Sequence, residues 1–317
     1  MDALSHVLRS VRLRGSIYAA WDVSAPWGLS FREGEYAPFH LVESGTAWLI
    51  LADGRRVRLE AGDVSAVFDG SAHRICDAPS SHCEPIESAL RGRKAAVAAH
   101  RYGGGGQRAR MICGKFAIDQ DESAPAFWRQ LPGLVHIRSA TRTDPDEFPI
   151  TFELIAKELR RGEPGSDRAA ALLTETLFIQ VLRAMLAEAE GPPTGWLEGL
   201  RDSVIAAALM AMHAEPERRW TVETLARRVG VSRSVFAQRF HARVGVPPMT
   251  YLADWRLQLA ARWLRESHMS IAHIHHRLGY RSGAAFHRAF KNRYGTAPSA
   301  YRRQGADLER NGIRRRA

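Results

Sequence analysis

The phrase GVSRSVFAQRF at residues 230–240 returns, one residue longer, as GYRSGAAFHRAF at residues 279–290. The match extends to both sides. Leu225 and Val229 precede Gly230 as Ile274 and Leu278 precede Gly279, and Phe236, Phe240, Gly245 and Tyr251 recur fifty positions on as Phe286, Phe290, Gly295 and Tyr301. Each copy has the parts of a helix-turn-helix. A short helix ends at a glycine, which enters the left-handed region at low steric cost. Ser232 or Ser282 then stands at the N-cap of the next helix, where its oxygen accepts from free backbone N–H groups. Phenylalanines at i and i+4 bury one face of that second helix. One such unit alone is compatible with an ordinary helical hairpin; two in register predict a tandem module.

The opposite helix faces are left for a partner. The first carries Arg233, Ser234, Ala237, Gln238 and His241, and the second Ala284, His287, Arg288 and Lys291. Side chains of these types can contact base edges or phosphates, with small residues allowing close approach. Between the units, PPMTYLADWRLQLAARWLRESHMS (247–270) predicts a linking helix that starts at proline and carries Leu252, Trp255, Leu259 and Trp263 on one stripe. A rigid link would set the two recognition helices in successive major grooves, about 34 Å apart.

Charge follows the repeats. The net charge is +11, yet residues 201–317 hold 22 basic and 8 acidic side chains against 23 and 26 in residues 1–200. All the positive excess lies with the repeated units, the pattern of a polyanion-binding module. At 317 residues there is room for two domains, and 45% hydrophobic with 25% charged residues reads as soluble and globular. Apolar runs fall short of the roughly 18 residues of a membrane span. The opening MDALSHVLRSVRLRGSIY interrupts its apolar residues with arginine and histidine, so no signal peptide is expected. Three cysteines, an odd count, suit a reducing compartment.

Residues 16–118 alternate as short strands, among them 40–51, 55–68 and 108–118, separated by turns at Asp53-Gly54, Gly62-Asp63 and Gly70. They predict an antiparallel barrel or sandwich. Residues 78–107 read as a long excursion, and Gly103 to Gly106 as a turn, because no Lys-Ser/Thr follows as a phosphate loop requires. Over 148–190 the period changes to three and four. Ser166 or Asp167 is expected to cap the second of two helices, and Gly191-Pro192-Pro193 to end it. That helix offers Leu173, Leu177, Val181 and Ala184 on one stripe and Leu172, Ile179, Leu182 and Leu186 on another. Two apolar stripes need two partners, the domain itself and a second copy of the chain.

The segments LARRVGVSRSVFAQRFHARVGVPPMTYL, WRLQLAARWL and IAHIHHRLGYRSGAAFHRAFKNRYGTAPSAYRR, within about residues 204–303, resemble the DNA-binding domain of the AraC/XylS family of bacterial transcription regulators. FHLVESGTAWL, GDVSAVFDGSAH and CGKF resemble the cupin-type sensor domain of some of these regulators. The resemblance implies an α+β multidomain chain: a cupin-like antiparallel β-barrel over 1–118, a helical connector and dimerisation region over 119–203, an all-α double helix-turn-helix domain over 204–303, and a flexible basic tail over 304–317. It further implies a cytoplasmic bacterial protein, not an enzyme, that acts as a homodimer on double-stranded DNA and on RNA polymerase in response to a small-molecule or redox effector. Whether it activates or represses stays open.

Cupin enzymes hold metal through a His-x-His…Glu motif and a later histidine. Here His73 follows Gly62 and Gly70, with Phe68 where the motif has proline, but the earlier positions fall at Phe31, Glu33 and Pro38. That weighs against the alternative, a metal-dependent cupin oxygenase or isomerase fused to a basic module, and no cofactor is required. His40, Trp48 and His73 are the candidate lining of a ligand pocket. Cys76, His82, Cys83 and Cys113 read as a zinc site, a redox thiol pair, or inert side chains, and the loose C-x₆-C spacing favours the last.

Overall fold

The computed structural model describes residues 13–91, 100–118, 131–139, 147–187 and 196–304, with isolated positions among the first twelve. The basic tail beyond 304 and the Gly191-Pro192-Pro193 stop lie outside the described residues. The chain divides into two compact units, one containing residues 13–118 and 131–192 and the other residues 193–317.

In the first unit, period-two sequence gives strands β1 (Leu13–Ser24), β2 (Gly28–Phe31), β3 (Ala37–Ser44), β4 (Ala47–Leu51), β5 (Arg56–Leu59), β6 (Val64–Val67), β7 (His73–Cys76), β8 (Glu84–Pro85), β9 (His100–Gly103), β10 (Arg108–Ile118) and β11 (Leu134–Ile137). They form a six-stranded sheet, β11-β6-β3-β10-β1-β9, and a five-stranded sheet, β5-β4-β7-β2-β8. Of the two expected arrangements, barrel or sandwich, the sheets take the second: they lie face to face and do not close into a ring. The edge strands β5, β8, β9 and β11 are two to four residues long, too short to join the sheets into a ring. Trp21, Val23, Val42 and Met111 of the larger sheet meet Leu29, Leu49, Leu51 and Ile75 of the smaller in one core. Gly103 to Gly106 form no anion cradle: the Gly104 and Gly106 amides donate to the Ser24 and Ala25 carbonyls, and Gly105 N donates to Ser24 Oγ at 2.9 Å.

Behind β11, a 15-residue helix α2 (Glu147–Arg161) and a 22-residue helix α3 (Ser166–Ala187) follow a single helical turn, α1 (Ile86–Ala89). Helix α3 is apolar and long enough to cross a bilayer by composition, but it packs in this unit. Phe178 lies 5.2 Å from Phe116, which stacks on Phe39 at 4.5 Å, so the outer face of the larger sheet is covered. Leu177, Val181 and also Leu182 are fully buried, whereas Leu172 stays 46% exposed, so the two expected stripes do not separate cleanly into inner and outer faces. Ser166 does not act as the cap anticipated; its hydroxyl donates to Glu158 Oε2 at 3.1 Å.

The second unit is helical: α4 (Trp196–Arg201), α5 (Ser203–Ala214), α6 (Val222–Arg228), α7 (Arg233–Val244), α8 (Pro248–Glu266), α9 (Ile271–Arg277) and α10 (Gly283–Tyr294). Helices α6–α7 and α9–α10 are the two repeated units, and α8 is the predicted link, with proline at its start. Gly230 and Gly279 take φ of 74° and 72° in the two turns, which explains glycine at both places. Phe236, Phe240, Phe286 and Phe290 are fully buried.

Candidate nucleic-acid interface and the inter-sheet histidine cluster

Each recognition helix begins at its serine. Ser232 Oγ accepts from Val235 N at 3.3 Å and Ser282 Oγ from Ala285 N at 3.2 Å, and both helices end at a left-handed glycine, Gly245 or Gly295. With the phenylalanines turned inward, Ser232, Arg233, Ser234, Gln238 and His241 are exposed on α7, with Ala237 half-buried among them. On α10, Ser282, Ala284, His287, Arg288 and Lys291 are all exposed. The structure therefore exposes every predicted contact residue, the half-buried Ala237 excepted, on its recognition helix or at the cap before it. Basic and hydrogen-bonding side chains on a helix that rises clear of its core can enter a groove.

Sequence reading missed what holds α7. Asp202 caps α5, accepting from Val204 N at 3.0 Å and Ile205 N at 3.2 Å, and takes Arg239 Nε at 2.5 Å. Glu198 pairs with Arg243 and, at 3.4 Å, with Arg201. Burial works against the Asp202 carboxylate, but the Arg239 and backbone donors prevail and hold its pKa below the ordinary aspartate value. An aspartate just ahead of the apolar run SVIAAALMAM was the available signal, an N-cap. Arg256 supplies a second unforeseen tie: its guanidinium bonds the carbonyls of Pro216 at 2.7 Å and Arg218 at 2.8 Å.

In the sandwich, His40 of β3 and His73 of β7 meet between the sheets. Their Nε2 atoms lie 2.9 Å apart, His40 Nδ1 is 3.1 Å from Cys113 Sγ, and His73 Nδ1 is 2.9 Å from the Ser71 carbonyl. That carbonyl can only accept, so His73 Nδ1 carries the hydrogen. His73 Nε2 then accepts from His40 Nε2–H, and His40 Nδ1 accepts from the Cys113 thiol. The relay needs both rings neutral. Burial supplies this, lowering His73 to about 4 and His40, with His73 beside it, well below the ordinary histidine value. Burial likewise pushes the Cys113 thiol up, keeping it a donor.

This donor set does not fit a cupin metal. Every imidazole nitrogen is already engaged. Phe31, at one of the earlier cupin ligand positions, stacks on His73 at 4.7 Å with the planes 4° apart. Among the described residues no group of three or more His, Cys, Asp or Glu side chains could hold a metal ion.

The remaining candidates do not converge on this cluster. Trp48 pairs with Cys76 while Leu51 pairs with His73, so alternation puts Trp48 and Cys76 on the outer face of the smaller sheet, away from the histidines. The four-residue grouping of Cys76, His82, Cys83 and Cys113 is also corrected. Cys113 belongs to the inner core on β10, and His82 is exposed in the loop before β8. Only Cys76 and Cys83 come together.

The cupin family profile matches residues 2–187, and a helix-turn-helix domain profile matches residues 225–304. The HTH-type transcriptional regulator AlkR of Acinetobacter baylyi is 31% identical over 309 residues, 96% of this chain and 100% of that one. An AraC-like transcription regulator of Streptomyces lividans is 33% identical over 96% of this chain and 98% of that one. Among solved structures, the DNA-binding domain of AdpA in complex with a target DNA is 33% identical, covering 32% of this chain and 92% of that chain, with a TM-score of 0.31.

Proposed function

The chain belongs to the AraC-like family of HTH-type transcriptional regulators with a cupin N-terminal domain, and from that premise we propose that α7 and α10 enter successive major grooves of one DNA duplex. It is a regulator and not an enzyme. The observation that carries the two-groove reading is the pair of serine-capped helices with exposed polar faces, joined through α8. In this reading the protein is cytoplasmic, its cupin domain receives a small-molecule or redox effector, and its other partners are RNA polymerase and a second copy of itself. Ile150 and Leu154 on α2, 57% and 45% exposed, and Leu172 on α3 support self-association, since three large apolar side chains face solvent on neighbouring helices. Leu154→Glu combined with Leu172→Glu should convert a dimer to a monomer by analytical ultracentrifugation, and a wild-type monomer at micromolar concentration contradicts that part.

The two-groove reading is tested by selecting binding sites from random duplexes with the full chain and footprinting the winner. Two protected patches one helical turn apart, about 10 base pairs centre to centre, are expected. A single patch, or equal binding to all duplexes, contradicts it.

A further inference from the structure

Position 28 is a glycine at the start of an interior strand of the smaller sheet, and the outer face of that sheet explains why. Arg58, Trp48, Cys76 and Gly28 lie in one row across β5, β4, β7 and β2, each paired with the next. Side chains directly opposite each other in such a ladder share a face, with Cβ atoms about 5 Å apart. Where a side chain at residue 28 would stand beside Cys76, the chain entering β8 comes down instead. A Cβ on Gly28 would fall 2.6 Å from Cys83 Sγ, 3.2 Å from Cys83 Cα and 2.5 Å from the His82 carbonyl. The Cys83 thiol thus fills the gap that glycine leaves in the row beside Cys76. Both cysteines are free.

We propose that Cys76 and Cys83 form a reversible disulfide in response to a peroxide. The placement brings the pair together: a disulfide needs Cα atoms about 4.4–6.8 Å apart, and the Gly28 gap sets the Cys83 backbone where the side chain of a neighbour of Cys76 would stand. The two thiols differ as an attacking and a resolving pair must. Cys83 is half-buried, its thiol at a loop carbonyl, Ser81 O, 3.5 Å away, so a small oxidant reaches it. Cys76 is fully buried, and burial together with Cys83 pushes its thiol up to about 12, so it is not the first to react.

In the first step the Cys83 thiolate attacks hydrogen peroxide. An S–O bond forms, the O–O bond breaks, and hydroxide leaves, giving the sulfenic acid. In the second step the Cys76 sulfur attacks the Cys83 sulfur. The S–S bond forms, the S–O bond breaks, and the departing hydroxide leaves as water with the Cys76 proton. Two thiols lose two electrons and the peroxide becomes two waters. A dithiol reverses the bond by exchange. Cys113 is the internal control: fully buried in the core and donating to His40, it takes no part.

The test uses the reduced full chain, hydrogen peroxide, thiol counting after denaturation, and peptide mass mapping. DNA is absent, so failure here leaves the DNA-binding reading standing, and the reverse. Two of three thiols should disappear with a 2 Da mass loss, a Cys76–Cys83 peptide pair should appear, and dithiothreitol should restore all three. Cys76→Ser should stop at a Cys83 sulfenic acid trapped by dimedone, and Cys83→Ser should keep its remaining thiols. Gly28→Ala, which keeps both cysteines but closes the gap, should slow bond formation more than tenfold. Three intact thiols after excess peroxide, a bond to Cys113, or a bond between two chains overturns the proposal.

Discussion

The two helix-turn-helix units share their caps and their phenylalanines, yet they are held in place by different forces. In the first unit, Arg239 and Arg243 on the flank of α7 are tied to Asp202 and Glu198 of the preceding helices. Fifty residues on, the position of Arg239 is Ala289, and Arg293 lies over the Tyr294 ring at 5.2 Å instead of an acidic partner. The second unit rests on an aromatic cluster: Phe290 is 4.6 Å from Tyr294 and 5.3 Å from Tyr301, and Arg265 covers Tyr301 at 5.2 Å. The corresponding Tyr251 of the first unit keeps the matching ring contact, 5.8 Å from Phe240, and adds a polar one, its hydroxyl 2.8 Å from His213 Nε2. The repeat thus preserves what makes a helix-turn-helix and its aromatic contacts, and leaves the added support free to differ: the first unit carries a charge clamp that the second replaces with further ring contacts.

The largest effect should come from what the units share. Phe240→Ala and Phe290→Ala each remove a fully buried ring and should cost about 3–5 kcal/mol. Hydrogen exchange on the full chain should show lost protection in α6–α7 for the first and in α9–α10 for the second. Equal loss in both units from either variant would break the comparison, because the units would then be one cooperative body.

The next variant separates the supports. Asp202→Ala removes an N-cap and leaves Arg239 without its partner, at a cost of about 2 kcal/mol once the partly exposed guanidinium is allowed for. Protection should fall in α4, α5 and α7 and stay unchanged in α10. The pH dependence has a definite sign. The Asp202 carboxyl is held below its unfolded value, so its stabilisation is full above that value, about 3.9, and is lost as pH falls through the folded one. Asp202→Asn should keep the cap and flatten the acid limb of stability for the first unit. An unchanged acid limb by circular dichroism would remove the charge clamp from the account.

Smaller and symmetrical, Ser232→Ala and Ser282→Ala should each cost about 1 kcal/mol. A denaturant titration giving one a cost and the other none would mean that the caps, too, have diverged.

The double module was legible because its signals are local: glycine and serine at fixed offsets, phenylalanines at i and i+4, proline at the start of α8. The strands of the sandwich were legible for the same reason, through alternation and turn residues. The way the sheets meet was not. His40 and Cys113 are 73 positions apart, and their pairing with His73 depends on which sheets pack face to face, which no local period encodes. Trp48 was placed with the histidines although Leu49 and Leu51, one step out of phase, mark the inner face; counting parity along β4 would have turned it outward. The Asp202 clamp was half legible, since a cap shows in sequence and its second partner, 37 residues on, does not. The Cys76–Cys83 contact hides behind a third residue: spacing alone is loose, and only the pairing of Gly28 between them brings the thiols together.

The units should also differ in what they read. Offset by fifty, Gln238 corresponds to Arg288 and His241 to Lys291, so the first helix presents a neutral amide where the second presents cations. An amide can bond adenine bidentately, at about 1–3 kcal/mol of discrimination, whereas Lys291, about two turns beyond its cap, is expected to meet the backbone. Binding of Gln238→Ala and Lys291→Ala chains to a base-substituted series of the selected site, at several salt concentrations, tests this division of labour most directly. Gln238→Ala should relax preference at one base position, and Lys291→Ala should weaken every site alike and lower the salt slope by about one unit. Gln238→Ala weakening all sites equally, or Lys291→Ala altering base preference with the salt slope intact, would contradict it.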